Sequence, residues 1–329
     1  MKNTILFLSL YSVVNYCIAQ EKQPVITPKK YSYQDFPESS ATSAAMKTVS
    51  QFTTDTQLNY HHDVKYITRD GMDLHLQIIQ PVIKGKTAKL PCIVYVQGSG
   101  WARQNVYGNL LQIADFARRG YTIAIVEYRP SDLAKFPAQL QDAKTAIRFM
   151  RKNASVYNVD TDNIFIWGDS SGGHTALMVG LTQNVPALDT GDMDEYPIEV
   201  NAVIDFYGPT DITQMNLEPS TLDHTSSKSF EGRLLGGVNV LDNKEAAAIT
   251  NPIGYITSNT RSAPILIMHG SKDRIVPFKQ SVLIADQLAR ESFDFQFYRI
   301  KGADHGSYEF WTKETFDLVE SFIKKYRVN

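Results

Sequence analysis

From Ile93 onward the chain repeats one pattern: a short apolar run, then a stretch whose apolar residues recur at helical spacing. The runs are Ile93 to Val96, Tyr121 to Val126, Ile164 to Trp167, Val203 to Phe206, Ile265 to Met268 and Phe295 to Ile300. Between and after them lie Leu110, Ile113, Ala114 and Ala117, then Ala143, Ile147 and Met150, then Ala176 to Leu181, Val282 to Ala289 and Phe316 to Tyr326. Runs this short read as strands buried on both faces. Alternated with amphipathic helices, they specify an α/β fold: a mostly parallel central sheet with helices on both sides. In front of them, Val64 to Thr68, the turn Asp70-Gly71, and Leu74, Leu76 and Ile78 alternating with polar residues predict a β-hairpin that adds antiparallel strands at one edge. Between Pro209 and Pro264 no strand pattern occurs. That interval is too long for an ordinary connection, and it is read as an insertion over the carboxyl ends of the strands, before the strand at Ile265.

The organisation ahead of this domain is different. Lys2 followed by the apolar stretch Ile5 to Val14, with small Ala19 ahead of Gln20, reads as a signal peptide over residues 1–19. The stretch is too short for stable membrane insertion, so the expected location is secreted or periplasmic. Residues 20–59 are polar, punctuated by Pro24, Pro28 and Pro37 and then dense in Ser and Thr, and read as an arm or linker. The folded domain is expected over 60–329. Only Cys17 and Cys92 occur, so there is no disulfide framework, and Cys92 opens an apolar run as a small buried hydrophobe. With 33 Lys and Arg against 35 Asp and Glu, the net charge of −2 gives no bulk electrostatic grip on nucleic acid.

The chemistry concentrates in Trp167-Gly168-Asp169-Ser170-Ser171-Gly172-Gly173-His174, a Gly-x-Ser-x-Gly pattern between a predicted strand and a predicted helix. A sharp strand-to-helix turn there holds Ser170 at the top of the sheet, and the flanking glycines permit the close packing it requires. The helix N-terminus favours negative charge developing beside it. Such a serine needs a base within hydrogen-bond reach. Of seven histidines, His305 lies in the glycine-flanked loop Gly302 to Gly306, which reaches the same sheet edge, and His269 is the second choice. The His174 ring is expected to point away. Asp273, after the strand ending at Met268, is the orienting acid, with Asp211 as the alternative. The order Ser170, Asp273, His305 excludes a chymotrypsin-like arrangement, which places His and Asp first in an all-β fold. An oxyanion formed on the substrate needs N–H donors. The Ser171 N–H is one, and the loop Gln97-Gly98-Ser99-Gly100-Trp101 is expected to give another. Trp101 and Trp311 are expected to crowd the substrate's acyl side. No zinc pattern or phosphate-binding lysine is present, so no metal and no cofactor is expected.

With these residues in place the chain resembles an α/β-hydrolase esterase of the hormone-sensitive-lipase-like branch. Within it, the chain is most similar to the acetyl xylan and feruloyl esterase-like carbohydrate esterases of gut bacteria. The resemblance runs from about Asp63 to Tyr326. It is carried by Gln97 to Trp101, Glu127-Tyr128-Arg129 with Phe136-Pro137-Ala138, Asn158-Val159-Asp160 leading into Gly168 to His174, His269 to Asp273 with Val276-Pro277, and Ala303 to Gly306. It implies oxyanion donors at Ser99 and Gly100. It also implies a departure: Gln97 stands where the family has a histidine that braces that loop. By resemblance the activity is removal of acetyl or feruloyl groups from plant polysaccharides by a Ser-His-Asp acyl-enzyme route. The partner is then a small ester or an acylated polysaccharide; the oligomeric state is not readable. Two alternatives share the pattern. One is a serine peptidase of the prolyl-oligopeptidase type, for which the chain before Asp63 is too short to form a propeller. The other is a non-catalytic carbohydrate-binding protein on a hydrolase fold, favoured by the altered oxyanion loop.

Overall fold

The computed structural model describes residues 27–49, 56–82 and 89–328. The expected signal peptide lies outside them. The chain divides at Phe52 into two units. In the first, residues 27–49 hold no helix or strand and each is exposed. The second carries every regular element among the described residues, and its first strand starts three residues ahead of the expected boundary. Among the described residues no helix is long and apolar enough to cross a membrane.

Eight strands build one sheet: β1 (Gln57–Arg69), β2 (Met72–Val82), β3 (Leu90–Val96), β4 (Thr122–Val126), β5 (Val159–Asp169), β6 (Val203–Phe206), β7 (Ile265–Gly270) and β8 (Phe295–Ile300). Their order is β1-β2-β4-β3-β5-β6-β7-β8. The hairpin β1–β2 is antiparallel and joins β4 in antiparallel fashion, and every pairing from β4 to β8 is parallel. Among the described residues the helices are α1 (Leu110–Ala117), α2 (Ala138–Lys152), α3 (Ser171–Leu181), α4 (Phe230–Leu234), α5 (Lys244–Ala248), α6 (Lys279–Arg290) and α7 (Lys313–Lys325).

Successive strand residues face opposite sides, so the central strands feed two cores. Val94, Val96, Ala124, Val126, Ile164 and Ile166 pack with residues of α2, α3 and α6 on one face. Ile93, Tyr95, Ile123, Ile125, Phe165 and Trp167 pack with α1 and α7 on the other. This two-sided burial is why the runs are apolar without alternation. Cys92 is fully buried, and burial pushes its thiol up to about 12, which leaves it an inert apolar contact.

The order places the next element in sequence on opposite sides of β3: β4 on one side and β5 on the other. Strand order therefore reverses there, and the loops leaving β3 and β5 diverge from neighbouring carboxyl ends, with Val96 level with Gly168. Such a switch point opens a crevice. The predicted insertion contains no strand. It is built from short helical turns at Ile212–Leu217, α4, α5 and Pro252–Tyr255, and it contributes Leu222, His224, Phe230 and Glu231 to the wall of that crevice.

Candidate active site

Ser170 sits between the last residue of β5 and the first of α3, with φ +53° and ψ −125°. Packing enforces this turn. A Cβ at Gly168 would lie 2.1 Å from the Gly172 carbonyl oxygen, and one at Gly172 would lie 1.9 Å from the Val96 carbonyl oxygen. Only glycines let the turn close so tightly on itself and on β3. The Ser170 N–H donates to the Phe206 carbonyl on β6 at 2.8 Å, which anchors the turn to the next strand.

The loops after β7 and β8 bring in the other two groups. The Ser170 hydroxyl donates to His305 Nε2 at 2.9 Å, and His305 Nδ1 donates to Asp273 Oδ2 at 2.8 Å. Asp273 Oδ1 accepts the Ile275 and Val276 N–H groups at 2.8 and 2.9 Å, which fixes the carboxylate plane. Burial alone would raise the Asp273 pKa. Hydrogen bonds from His269 and His305 outweigh it and hold the carboxyl well below the usual carboxylate range. A permanently ionised Asp273 keeps the His305 proton on Nδ1 and leaves Nε2 free to take the serine proton. The Tyr207 ring packs 4.6 Å from the His305 ring. Asp304 Oδ1 accepts both the Arg274 and His305 N–H groups, at 3.0 and 2.8 Å, and so ties the acid loop to the base loop.

The second choices fall elsewhere. His269 is fully buried beside Asp273 and Ser281, at 3.1 and 2.7 Å, and buttresses the acid without reaching Ser170. Asp211 accepts from Thr213, Gln214 and Asn251, all within or beside its own loop. The His174 ring points away from Ser170, as expected. It accepts from Trp101 Nε1 at 3.2 Å and donates to the Thr250 carbonyl at 2.7 Å, and burial pushes its pKa down to about 4.

Two expectations need correction. Trp311 does not line the crevice. It ends the turn Tyr308–Trp311, and its partly buried ring stacks on Trp167 with centroids 6.3 Å apart, packed against the core on the α1/α7 face. Trp101 does line the crevice, but as a wall held by His174. The Ser99 N–H, expected to face the oxyanion, donates instead to the Ser171 hydroxyl at 2.9 Å. The cause is chemical: the residue after Ser170 carries a hydroxyl long enough to cross to the neighbouring loop. Gly100 and Ser171 keep N–H groups with no acceptor among the described residues, and that of Ser171 is one of the donors a helix start leaves unpaired.

The loop carrying Gly100 is not braced by Gln97, whose Oε1 is buried without a hydrogen bond. Gln104 does that work: its Nε2 donates to the Gln97 carbonyl and its Oε1 accepts the Tyr128 N–H, both at 2.9 Å. Asp169 adds a bond from the Gly98 N–H at 3.1 Å, and Tyr128 Oη lies 2.9 Å from Ser99 Oγ. Tyr128 is itself fixed because the Arg129 N–H and Nε both donate to buried Asp142 at 2.9 Å. Nothing in the sequence singled out Gln104; Tyr128 lay in the quoted Glu127-Tyr128-Arg129.

Ser170 and His305 open onto a cavity of about 350 Å³, walled by Gly100, Trp101, Leu222, Phe230, Ile275 and Val276. A polarised serine at the base of an apolar pocket, beside unpaired N–H groups, is equipped for nucleophilic attack on a carbonyl carbon.

The BD-FAE family model matches residues 76–288. Esterase LipC of Mycobacterium tuberculosis is 26% identical over 236 residues, which is 71% of this chain and 55% of that protein. The chain spans about half the length of the curated relatives it matches. Among solved structures, a truncated carbohydrate esterase from gut microbiota superposes with a TM-score of 0.73 at 27% identity, over 83% of this chain and 97% of that one. A bifunctional GH43-CE protein of Bacteroides eggerthii gives 0.71 at 28% identity, over 82% and 38%. The architecture is the α/β-hydrolase fold.

Proposed function

Because the chain belongs to the BD-FAE family, we propose that it is a serine carboxylic-ester hydrolase. The observation that carries the reading is the relay from Ser170 through His305 to Asp273, at 2.9 and 2.8 Å, opening on an apolar cavity. His305 takes the Ser170 proton as Oγ attacks the ester carbonyl. The oxyanion that forms is held by the Gly100 and Ser171 N–H groups. His305 then protonates the leaving alcohol, and water attacks the acyl-serine by the reverse sequence. The likeness to a carbohydrate esterase supports a carbohydrate ester as the substrate class, the sequence resemblance supports acetyl or feruloyl groups on plant polysaccharide within it, and the expected signal peptide supports action outside the cytoplasm. The test is turnover of p-nitrophenyl acetate, butyrate and octanoate, methyl ferulate and acetylated xylan, with Ser170→Ala as the blank. No hydrolysis of any of them would overturn the reading.

Within that panel, kcat/KM for the octanoate ester will fall about tenfold below that for the acetate. Trp101 and Phe230 wall the cavity beside Ser170, and a long acyl chain pressed against those rings is locally overpacked, which costs on the order of 1–3 kcal/mol. Faster octanoate turnover would show that the acyl chain leaves the cavity by another path.

Gln104→Ala will lower kcat about tenfold for every acyl group and leave KM nearly unchanged. It removes the two Gln104 bonds that tie the Gly100 loop to Tyr128, and a displaced oxyanion donor weakens the transition state more than the bound substrate. Steady-state kinetics on acetate and butyrate esters measure this. A rise in KM alone would mean that the loop binds substrate without facing the oxyanion.

A further inference from the structure

The insertion places a second charged group in the cavity that the acyl-transfer chemistry does not use. Glu231, on α4, is 3% exposed and lines the same pocket as Ser170. Its Oε1 accepts from His224 Nδ1 at 2.9 Å. Its Oε2 is buried and has no hydrogen-bond partner in the protein. His224 is 1% exposed, and its Nε2 lies 3.0 Å from the Ile275 carbonyl and 2.8 Å from Ser220 Oγ. A carboxylate at one ring nitrogen and a carbonyl at the other are both acceptors, so the ring between them is set to donate twice. Burial opposes that charge, but the bond to Glu231 and its negative charge outweigh it and raise the His224 pKa. Glu231 thus lines the pocket with one oxygen engaged by the His224 ring behind it and the other with its lone pairs unused.

A buried acceptor of this kind is a cost to the free protein that a ligand donor removes. The surrounding walls, Leu222, Phe230, Ile275 and Val276, offer it nothing. A carboxylate or other acceptor on the ligand would be repelled. The His224 N–H already serves Glu231 from behind, and the apolar walls would have to desolvate an ammonium group, so an uncharged donor suits the site better. We propose that Glu231 Oε2 accepts a hydrogen bond from a hydroxyl of the ester substrate, which makes it a specificity-determining residue for hydroxylated esters. This rests on the ester-hydrolase reading above. The hydroxyl has two possible sources, a free sugar hydroxyl beside the acylated one or the phenol of a feruloyl group, and the chemistry at Oε2 is the same for both.

The test compares matched esters on the full chain. One pair is a methyl xyloside carrying one acetyl group and free neighbouring hydroxyls, against the same compound with those hydroxyls methylated. The other pair is methyl ferulate against its 4-O-methyl ether. For at least one pair, kcat/KM of the wild-type protein is expected to favour the free hydroxyl by about 10- to 100-fold, the worth of one hydrogen bond to a charged group. In Glu231→Gln, the amide oxygen takes the His224 bond and the NH₂ turns toward the pocket; a free hydroxyl and its methyl ether can both accept from that NH₂, so the preference collapses toward one. A preference in the xyloside pair alone locates the hydroxyl on the alcohol; one in the ferulate pair alone locates it on the acyl group. If the wild-type protein turns over p-nitrophenyl acetate yet shows no preference in either pair, the proposal is overturned while the ester-hydrolase reading stands. If Glu231→Gln keeps the preference, the proposal is likewise overturned. If no ester is hydrolysed, both fall together. Circular dichroism checks the variant's fold, and should it unfold, the wild-type ratios decide the matter alone.

Discussion

Ser170→Ala will lower kcat for p-nitrophenyl acetate by about 10⁴- to 10⁶-fold and leave the melting temperature close to that of the wild-type protein. The chemical half of the expectation follows from the hydroxyl having His305 as its hydrogen-bond partner in the described chain. No neighbouring oxygen can replace it: the Ser171 hydroxyl faces Ser99 and Tyr128, away from His305. The structural half follows from the backbone. Serine and alanine meet the same conformational penalty at φ +53°, and the anchoring bond to Phe206 uses the main-chain N–H, which the variant keeps. Steady-state kinetics and a thermal melt check both halves. A variant that retained half its turnover would put the nucleophile elsewhere.

His305→Ala will be about as damaging, and the double variant with Ser170→Ala will be scarcely worse than either single one. Members of such a relay act as a unit, so their losses do not add. The base also has no substitute in place, because His269 bonds to Asp273, Ser281 and the Val276 carbonyl with its two nitrogens. Asp273→Asn will cost on the order of 10⁴ in kcat, because an amide in that position can favour the wrong tautomer of His305. Asp211→Asn will leave kcat near its wild-type value, since Asp211 serves only its own turn and Asn251. Kinetics on the four variants separate these outcomes. Additive losses in the double variant would mean that Ser170 and His305 belong to different functions.

The parts of the molecule legible in the sequence are those governed by local pattern. The runs at Val203 to Phe206 and Phe295 to Ile300 match their strands residue for residue: the first is buried throughout, and the second, a partly exposed edge strand, sets Phe295 and Phe297 in alternation with Gln296. The placing of Ser170 was legible for a similar reason: glycines at 168 and 172 are demanded by backbone contacts made within the turn and with β3. Asp273 and His305 followed from topology, since parallel strands deliver their loops to one edge. What was not legible depends on side-chain choices between loops distant in sequence. Trp311 lies six residues from His305 and is carried against the core by a helical turn that a few polar residues did not announce. The Ser99 N–H is claimed by Ser171 across 72 positions, and Gln104 ties Gln97 to Tyr128 across a gap that no spacing rule covers. The His224–Glu231 pair lies in the insertion, where there is neither strand nor long helix to set a period.

The turn at Ser170 has a consequence for anyone who would make this protein more durable. A non-glycine residue held at φ +53° and ψ −125° stores roughly 1–3 kcal/mol of strain, which glycine would release. The nucleophile thus occupies one of the positions where a single substitution to glycine relieves backbone strain. A library ranked by survival of heating would enrich Ser170→Gly, and its most robust members would be inert. Selection on this scaffold has to score turnover alongside heat tolerance, or look for gains away from the turn, such as tighter packing beneath α1 and α7.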